Sequence, residues 1–123
     1  MTHIRRINAV FIYVKDMEKM RHFYEHTLGL GKPVLETDMW VEYKLDGSDL
    51  ALHQGDPNVV VHLSGRDNTV KFSMEVDDIE IFYQELVGKG VTFTIVPRRD
   101  FHSLLAEFED PEGNLIRLLQ RLE

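Results

Sequence analysis

A strand, an aspartate and a helix occur twice in this chain, 62 residues apart, and that repeat limits the possible folds more than any single motif. "INAVFIYVKDMEKMRHFYEHTLGLG" reads as an apolar strand, then Asp16, then a helix with Met17, Met20, Phe23, Tyr24 and Leu28 at three- and four-residue spacings. "VKFSMEVDDIEIFYQELVGKGV" repeats the plan with Asp78, then Ile79, Phe82, Tyr83 and Leu86. Asp16 and Asp78 are therefore expected N-caps, their carboxylates accepting first-turn amide hydrogens. Gly29 and Gly88 are the expected helix stops.

Three shorter strand-like runs follow each helix. In the first half they lie near 34–37, 40–45 and 50–54, and in the second near 91–96, 104–109 and 115–120. The closing hairpins match as well, Asp46-Gly47 against Glu112-Gly113 and Gln54 against Gln120, each 66 residues apart. Two βαβββ modules in 123 residues are each too short to be an independent domain. One domain with a shared core is expected, with module one at about 5–55, a linker at about 56–68 and module two at about 69–121. An extra strand over 59–63 is a further expectation within "GDPNVVVHLSGRDN".

Composition removes several classes of function. There are no cysteines, so a disulfide framework, thiolate metal sites and a cysteine nucleophile are all excluded. Any metal would need His, Asp or Glu. With 14 Lys and Arg against 21 Asp and Glu, the net charge of −7 has the wrong sign for a nucleic-acid or anionic-membrane surface. "MTHIRRINAV" lacks a signal-peptide core, and no apolar run approaches a membrane span, so a soluble cytoplasmic protein is expected. "GLGKP" follows a helix instead of a strand and reads as a helix stop, not a phosphate loop.

One strand carries an anomaly. In "GNLIRLLQ", alternation puts Arg117 with Leu115 and Leu119, on the face opposite Ile116 and Leu118. A cation there needs either a ligand or a partner.

The doubled plan, with "FYEHTLGL" closing the first helix, "MEVDDIEIFYQEL" opening the second module and "FEDPEGNLIRLLQ" at the end, resembles the vicinal oxygen chelate superfamily over residues 6–121. That superfamily includes glyoxalase I, extradiol dioxygenases, methylmalonyl-CoA epimerase and the fosfomycin- and bleomycin-resistance proteins. The resemblance implies an α+β domain whose two βαβββ modules form a curled mixed sheet around a central, ligand-holding cleft. It also implies one divalent metal, held from the first and last strands of each module. Carried over by motif, the four ligand positions read Ala9, Ala51, Lys71 and Arg117. Alanine has no donor atom, while Arg and protonated Lys bring positive charge to a cation site. Shifting the register by one residue adds a single donor, Asn8.

The resemblance thus implies a small-molecule binding protein without metal or other cofactor. Lys71 and Arg117 would hold a carboxylate or phosphate, Arg as a planar fork and Lys as a point charge. Glu75, and Glu107 or Glu109, could instead neutralise these cations in a salt-bridge network, and both readings stay open. Phe11 and Tyr13 accompany Ala9 by alternation, and His53 accompanies Ala51, which makes Tyr13 and His53 candidate pocket residues, with Trp40 as a stacking candidate. The competing reading is a lyase, isomerase or dioxygenase whose metal uses His53, Glu75 and Glu107. A third is a non-catalytic dimerisation scaffold, and family members pair often enough that a homodimer is expected. His22 and His26 have metal-ligand spacing without a third ligand and read as a polar helix face. His62, His102, Arg98 and Arg99 read as surface or loop residues.

Overall fold

The computed structural model describes residues 7–55, 72–100 and 102–122. Lys71, His62 and the expected strand at 59–63 lie outside the described residues. The chain divides into two compact units, one in each half of the sequence.

In the first unit, β1 (Ala9–Val14) leads to α1 (Met17–His22), which continues as a π-helical turn (Phe23–Thr27). Strands β2 (Leu35–Glu36), β3 (Trp40–Tyr43) and β4 (Asp49–Gln54) complete a four-stranded sheet in the order β1-β4-β3-β2. β1 and β4 pair in parallel and the other pairs are antiparallel. The second unit repeats the topology with β5 (Ser73–Glu75), α2 (Ile79–Gly88), β6 (Phe93–Asp100), β7 (Ser103–Glu109) and β8 (Leu115–Arg121), in the order β5-β8-β7-β6. The α+β assignment and the two βαβββ modules expected from the repeat are thus what the chain forms.

Each sheet buries one face, as alternation requires. Ile12, Val14, Val41, Tyr43, Leu50 and Leu52 are buried in the first unit together with Met20, Phe23, Tyr24 and Leu28 of the helical segment. Ile79 and Leu86 of α2 are buried in the second, as are Ala106, Phe108, Ile116 and Leu118 of the sheet. Burying one such large apolar side chain contributes about 2 kcal/mol. Tyr83 of α2 meets Phe93 of β6 edge to face, with ring centres 4.8 Å apart.

The repeated residues have repeated roles. Asp16 and Asp78 each accept from the backbone N–H three residues on, Lys19 and Ile81, both at 3.1 Å. Replacing either aspartate by alanine is expected to lower stability by about 1 kcal/mol in urea unfolding, and an unchanged midpoint would show that these caps do not hold the helix starts. Gln54 and Gln120 both tie a last strand to the entry of a helix. The Gln54 amide donates to the carbonyl of Lys15 at 2.9 Å, and the Gln120 side-chain oxygen accepts from the N–H of Ile79 at 2.8 Å.

Three local expectations are corrected. α2 continues through Gly88, and the left-handed stop is Gly90, at φ +89°. There the N–H of Val91 reaches back to the Leu86 carbonyl at 3.0 Å, a bond a residue with a β-carbon would strain to close. The first helix is not uniformly α, since the bond from the Leu28 N–H to the Phe23 carbonyl spans five residues. Arg98 and Arg99 lie in β6, not in a loop.

No helix among the described residues is long and apolar enough to cross a membrane.

Candidate functional site

The face of the first sheet opposite its helix is aromatic. Register sets Phe11 beside Ala51 and Tyr13 beside His53 across the β1–β4 pair, and Trp40 beside His53 and Glu42 beside Ala51 across the β3–β4 pair. Alternation sends these side chains away from buried Ile12, Val41 and Leu52. Phe11 lies 5.5 Å from Tyr13, 5.5 Å from Trp40 and 5.8 Å from His53, between ring centres. Tyr13 stacks on His53 at 4.9 Å, and Trp40 meets His53 edge-on at 5.6 Å. Such a group would normally be core, yet Phe11 is 46% and Tyr13 36% exposed. Ala51, fully buried, leaves low ground between Phe11 and Glu42.

Polar atoms around these rings are fixed. The Trp40 indole N–H donates to Glu42 Oε1 at 2.9 Å. His53 Nδ1 lies 3.1 Å from the Gln54 carbonyl, which can only accept, so Nδ1 carries the hydrogen. In the neutral ring this leaves Nε2 as an acceptor. The face can thus stack a flat ring, accept a proton or hydrogen bond at His53, and offer a carboxylate at Glu42.

In the second unit the corresponding face is charged. Ser73, Arg117 and Glu107 stand in one row across β5, β8 and β7, and Glu75, Leu119 and Leu105 in the next. Arg117 points away from buried Ile116 and Leu118, as alternation requires, and pairs with Glu107 at 3.5 Å. Glu107 also accepts from the Thr94 hydroxyl at 2.8 Å. Glu75 does not join Arg117; it faces Arg121 at 3.3 Å. The Arg117 side chain is 47% exposed, so its ion pair is screened and contributes less than about 1 kcal/mol.

Among the candidates, Tyr13, His53 and Trp40 come together, while Arg117 and Glu75 each meet a different charge. Sequence reasoning passed over Glu42, whose place opposite Ala51 depends on hairpin register. It also misplaced Arg98. β6 shifts register twice, between Phe93 and Ile95 and between Ile95 and Arg98, so Phe93 sits opposite Phe108 but Arg98 sits opposite Leu105. An extra residue in one strand re-aims everything after it. The only available signal was Pro97, which suits an edge or a bulge.

The metal positions implied by the family plan do not fit a metal. Ala9 and Ala51 carry no donor atom, and Arg117 directs a guanidinium at Glu107. The alternative donors fare no better, since Glu75 and Glu107 already face arginines.

A family model described as Glyoxalase/Bleomycin resistance protein/Dioxygenase superfamily matches residues 6–118. The uncharacterized protein YurT of Bacillus subtilis (strain 168) is 30% identical, over 94% of this chain and 99% of its own length. A superfamily member from Sphaerobacter thermophilus DSM 20745, of known structure, is 26% identical with a TM-score of 0.69, covering 96% of this chain and 98% of its own. TnmS3, an antibiotic binding protein from Streptomyces sp. CB03234, has a TM-score of 0.77 at 22% identity, covering 98% of this chain and 99% of its own; that likeness is one of fold.

Proposed function

Because the chain belongs to the Glyoxalase/Bleomycin resistance protein/Dioxygenase superfamily, we propose that it is a metal-free small-molecule binding protein whose ligand stacks on the aromatic face of the first sheet. The observation that carries this reading is the exposure of Phe11 and Tyr13 within a group of four rings. Leaving so much aromatic surface uncovered forgoes folding free energy, and a ligand that covers it recovers that energy as affinity. A planar, partly aromatic ligand fits, with a donor for His53 Nε2 or Glu42. The antibiotic-binding description of TnmS3 supports the choice of bulky natural products as a first screen. Arg117 and Lys71 belong to the same proposal as partners for an anionic group on the ligand, as does assembly into a homodimer. The lack of donor atoms at Ala9 and Ala51 supports the metal-free part.

The test is calorimetric titration with bleomycin and with naphthalene-2-carboxylate as probes. Tyr13→Ala and Trp40→Ala are each expected to weaken a probe that binds the parent chain by about tenfold, the loss of one stacked ring. Equal affinity in both variants would remove this face from the account. Arg117→Ala is expected to discriminate the carboxylate from its methyl ester, weakening only the former.

A further inference from the structure

We propose that His22 and His26 chelate a borderline divalent transition-metal ion, Zn2+, Ni2+ or Cu2+, beside the first helix. Three observations converge on this pair. The first is backbone form: α1 ends at His22, and His26 sits in the π-helical turn that follows. π-Helical turns are rare and are found disproportionately at functional positions. This one is held by buried Phe23 and Tyr24, so the two imidazoles project from a fixed base.

The second is ring geometry. The imidazole centres stand 5.1 Å apart, with the rings tilted by 42°. Two imidazoles bound to one ion, each through a bond of about 2 Å, place their ring centres roughly 5 Å apart at a tetrahedral angle. The rings therefore need little movement to share a metal. The third is the surroundings, a cavity of about 470 Å³ that both histidines line together with the carboxylates of Glu18 and Asp38. Arg21 borders the same space, but its charge is met by Glu25 at 2.7 Å and Glu36 at 3.3 Å.

Among the described residues no three His, Asp or Glu side chains stand close enough to form a ready-made metal group. The two imidazoles are then the anchored donors. Exposed Glu18 or Asp38, by a change of rotamer, or water completes the coordination. Imidazole pairs with an oxygen donor suit Zn2+, Ni2+ and Cu2+ and exclude Mg2+ and Ca2+, which prefer all-oxygen shells. The site is separate from the sheet positions Ala9, Ala51 and Arg117, and it neither needs nor predicts metal there.

The experiment is titration of the untagged full chain, first stripped with a chelator, with NiCl2 and ZnSO4. One equivalent is expected to bind with a micromolar dissociation constant, and MgCl2 is expected not to compete. His22→Gln and His26→Gln should each weaken binding at least about tenfold, with the circular dichroism spectrum unchanged because both side chains are exposed. Absence of saturable Ni2+ and Zn2+ binding would overturn the proposal. So would binding that survives both substitutions, since it would place the metal on another histidine.

Discussion

Replacing Glu25 by alanine is expected to destabilise the chain by about 2 kcal/mol, a large effect for a residue on a helix surface. The Glu25 side chain is 13% exposed, and one oxygen, Oε2, accepts from both Arg21 Nε at 2.7 Å and the Tyr43 hydroxyl at 2.8 Å. Tyr43 is buried in β3, so its hydroxyl has lost water and depends on this acceptor. Arg21 in turn reaches Glu36 of β2. Glu25 therefore joins the π-helical turn to two strands, and removing it leaves a buried donor without its acceptor.

The pH dependence follows from the same contacts. Burial alone would raise the Glu25 carboxyl, but hydrogen bonds from Arg21 and Tyr43 outweigh it and hold the group below the usual carboxylate range. A depressed folded-state value stabilises above the unfolded carboxyl range and loses that contribution as pH falls through the folded value. Tyr43 is shifted the other way, upward, by burial first and then by its bond to Glu25. Its contribution is complete below the unfolded phenol value of about 10 and is lost as pH rises through the folded one. Urea unfolding of the parent chain and Glu25→Gln should show the widest gap between about pH 5 and pH 10, closing in acid. A gap independent of pH would mean that packing, not charge, is what Glu25 supplies.

The largest loss in the second unit is expected for Asp110→Ala, about 3 kcal/mol. Asp110 is 4% exposed, with no ion-pair partner printed by distance among the described contacts of its turn, and its carboxylate closes the hairpin between β7 and β8. Oδ1 accepts from the backbone N–H of Glu112 and of Asn114, both at 2.9 Å, and Oδ2 accepts from the Asn114 amide at 2.8 Å. Gly113, at φ +84°, supplies the turn that brings these donors inward. Asn114→Ala is expected to cost less. The buried Asn114 Oδ1 has no hydrogen-bond partner among the described residues, so deleting that side chain removes an unmet acceptor along with a donor. Denaturant midpoints measured side by side check the order, and a more harmful Asn114→Ala would contradict it.

What could be read from the sequence was whatever local chemistry repeats. Asp16 and Asp78 cap because a carboxylate before a helix has unpaired amides within reach, and Gln54 and Gln120 recur because each βαβββ module needs the same strand-to-helix tie. Arg117 could be placed away from Ile116 and Leu118 by alternation alone. What could not be read was set by pairing between distant residues. The two register shifts of β6 depend on β7, and they move Arg98 to the face of Leu105 against simple alternation. Glu75 meets Arg121 instead of Arg117 because β5 pairs Ser73, not Glu75, with Arg117. The π-helical turn leaves no mark in the spacing of Phe23, Tyr24 and Leu28. For the site, Tyr13, His53 and Trp40 were each visible as single residues, but their convergence required the register of three strands.

The central claim is that a ligand covers the aromatic face of the first sheet, and Trp40, the sole tryptophan, reports on it directly. Its indole N–H, bonded to Glu42, gives one side-chain resonance in a nitrogen–proton correlation spectrum. The measurement is to follow that resonance while adding a compound already shown by calorimetry to bind. The account predicts a saturable shift of the indole signal together with the amides of β1 and β4. A ligand that binds while the indole and those amides stay still would contradict it.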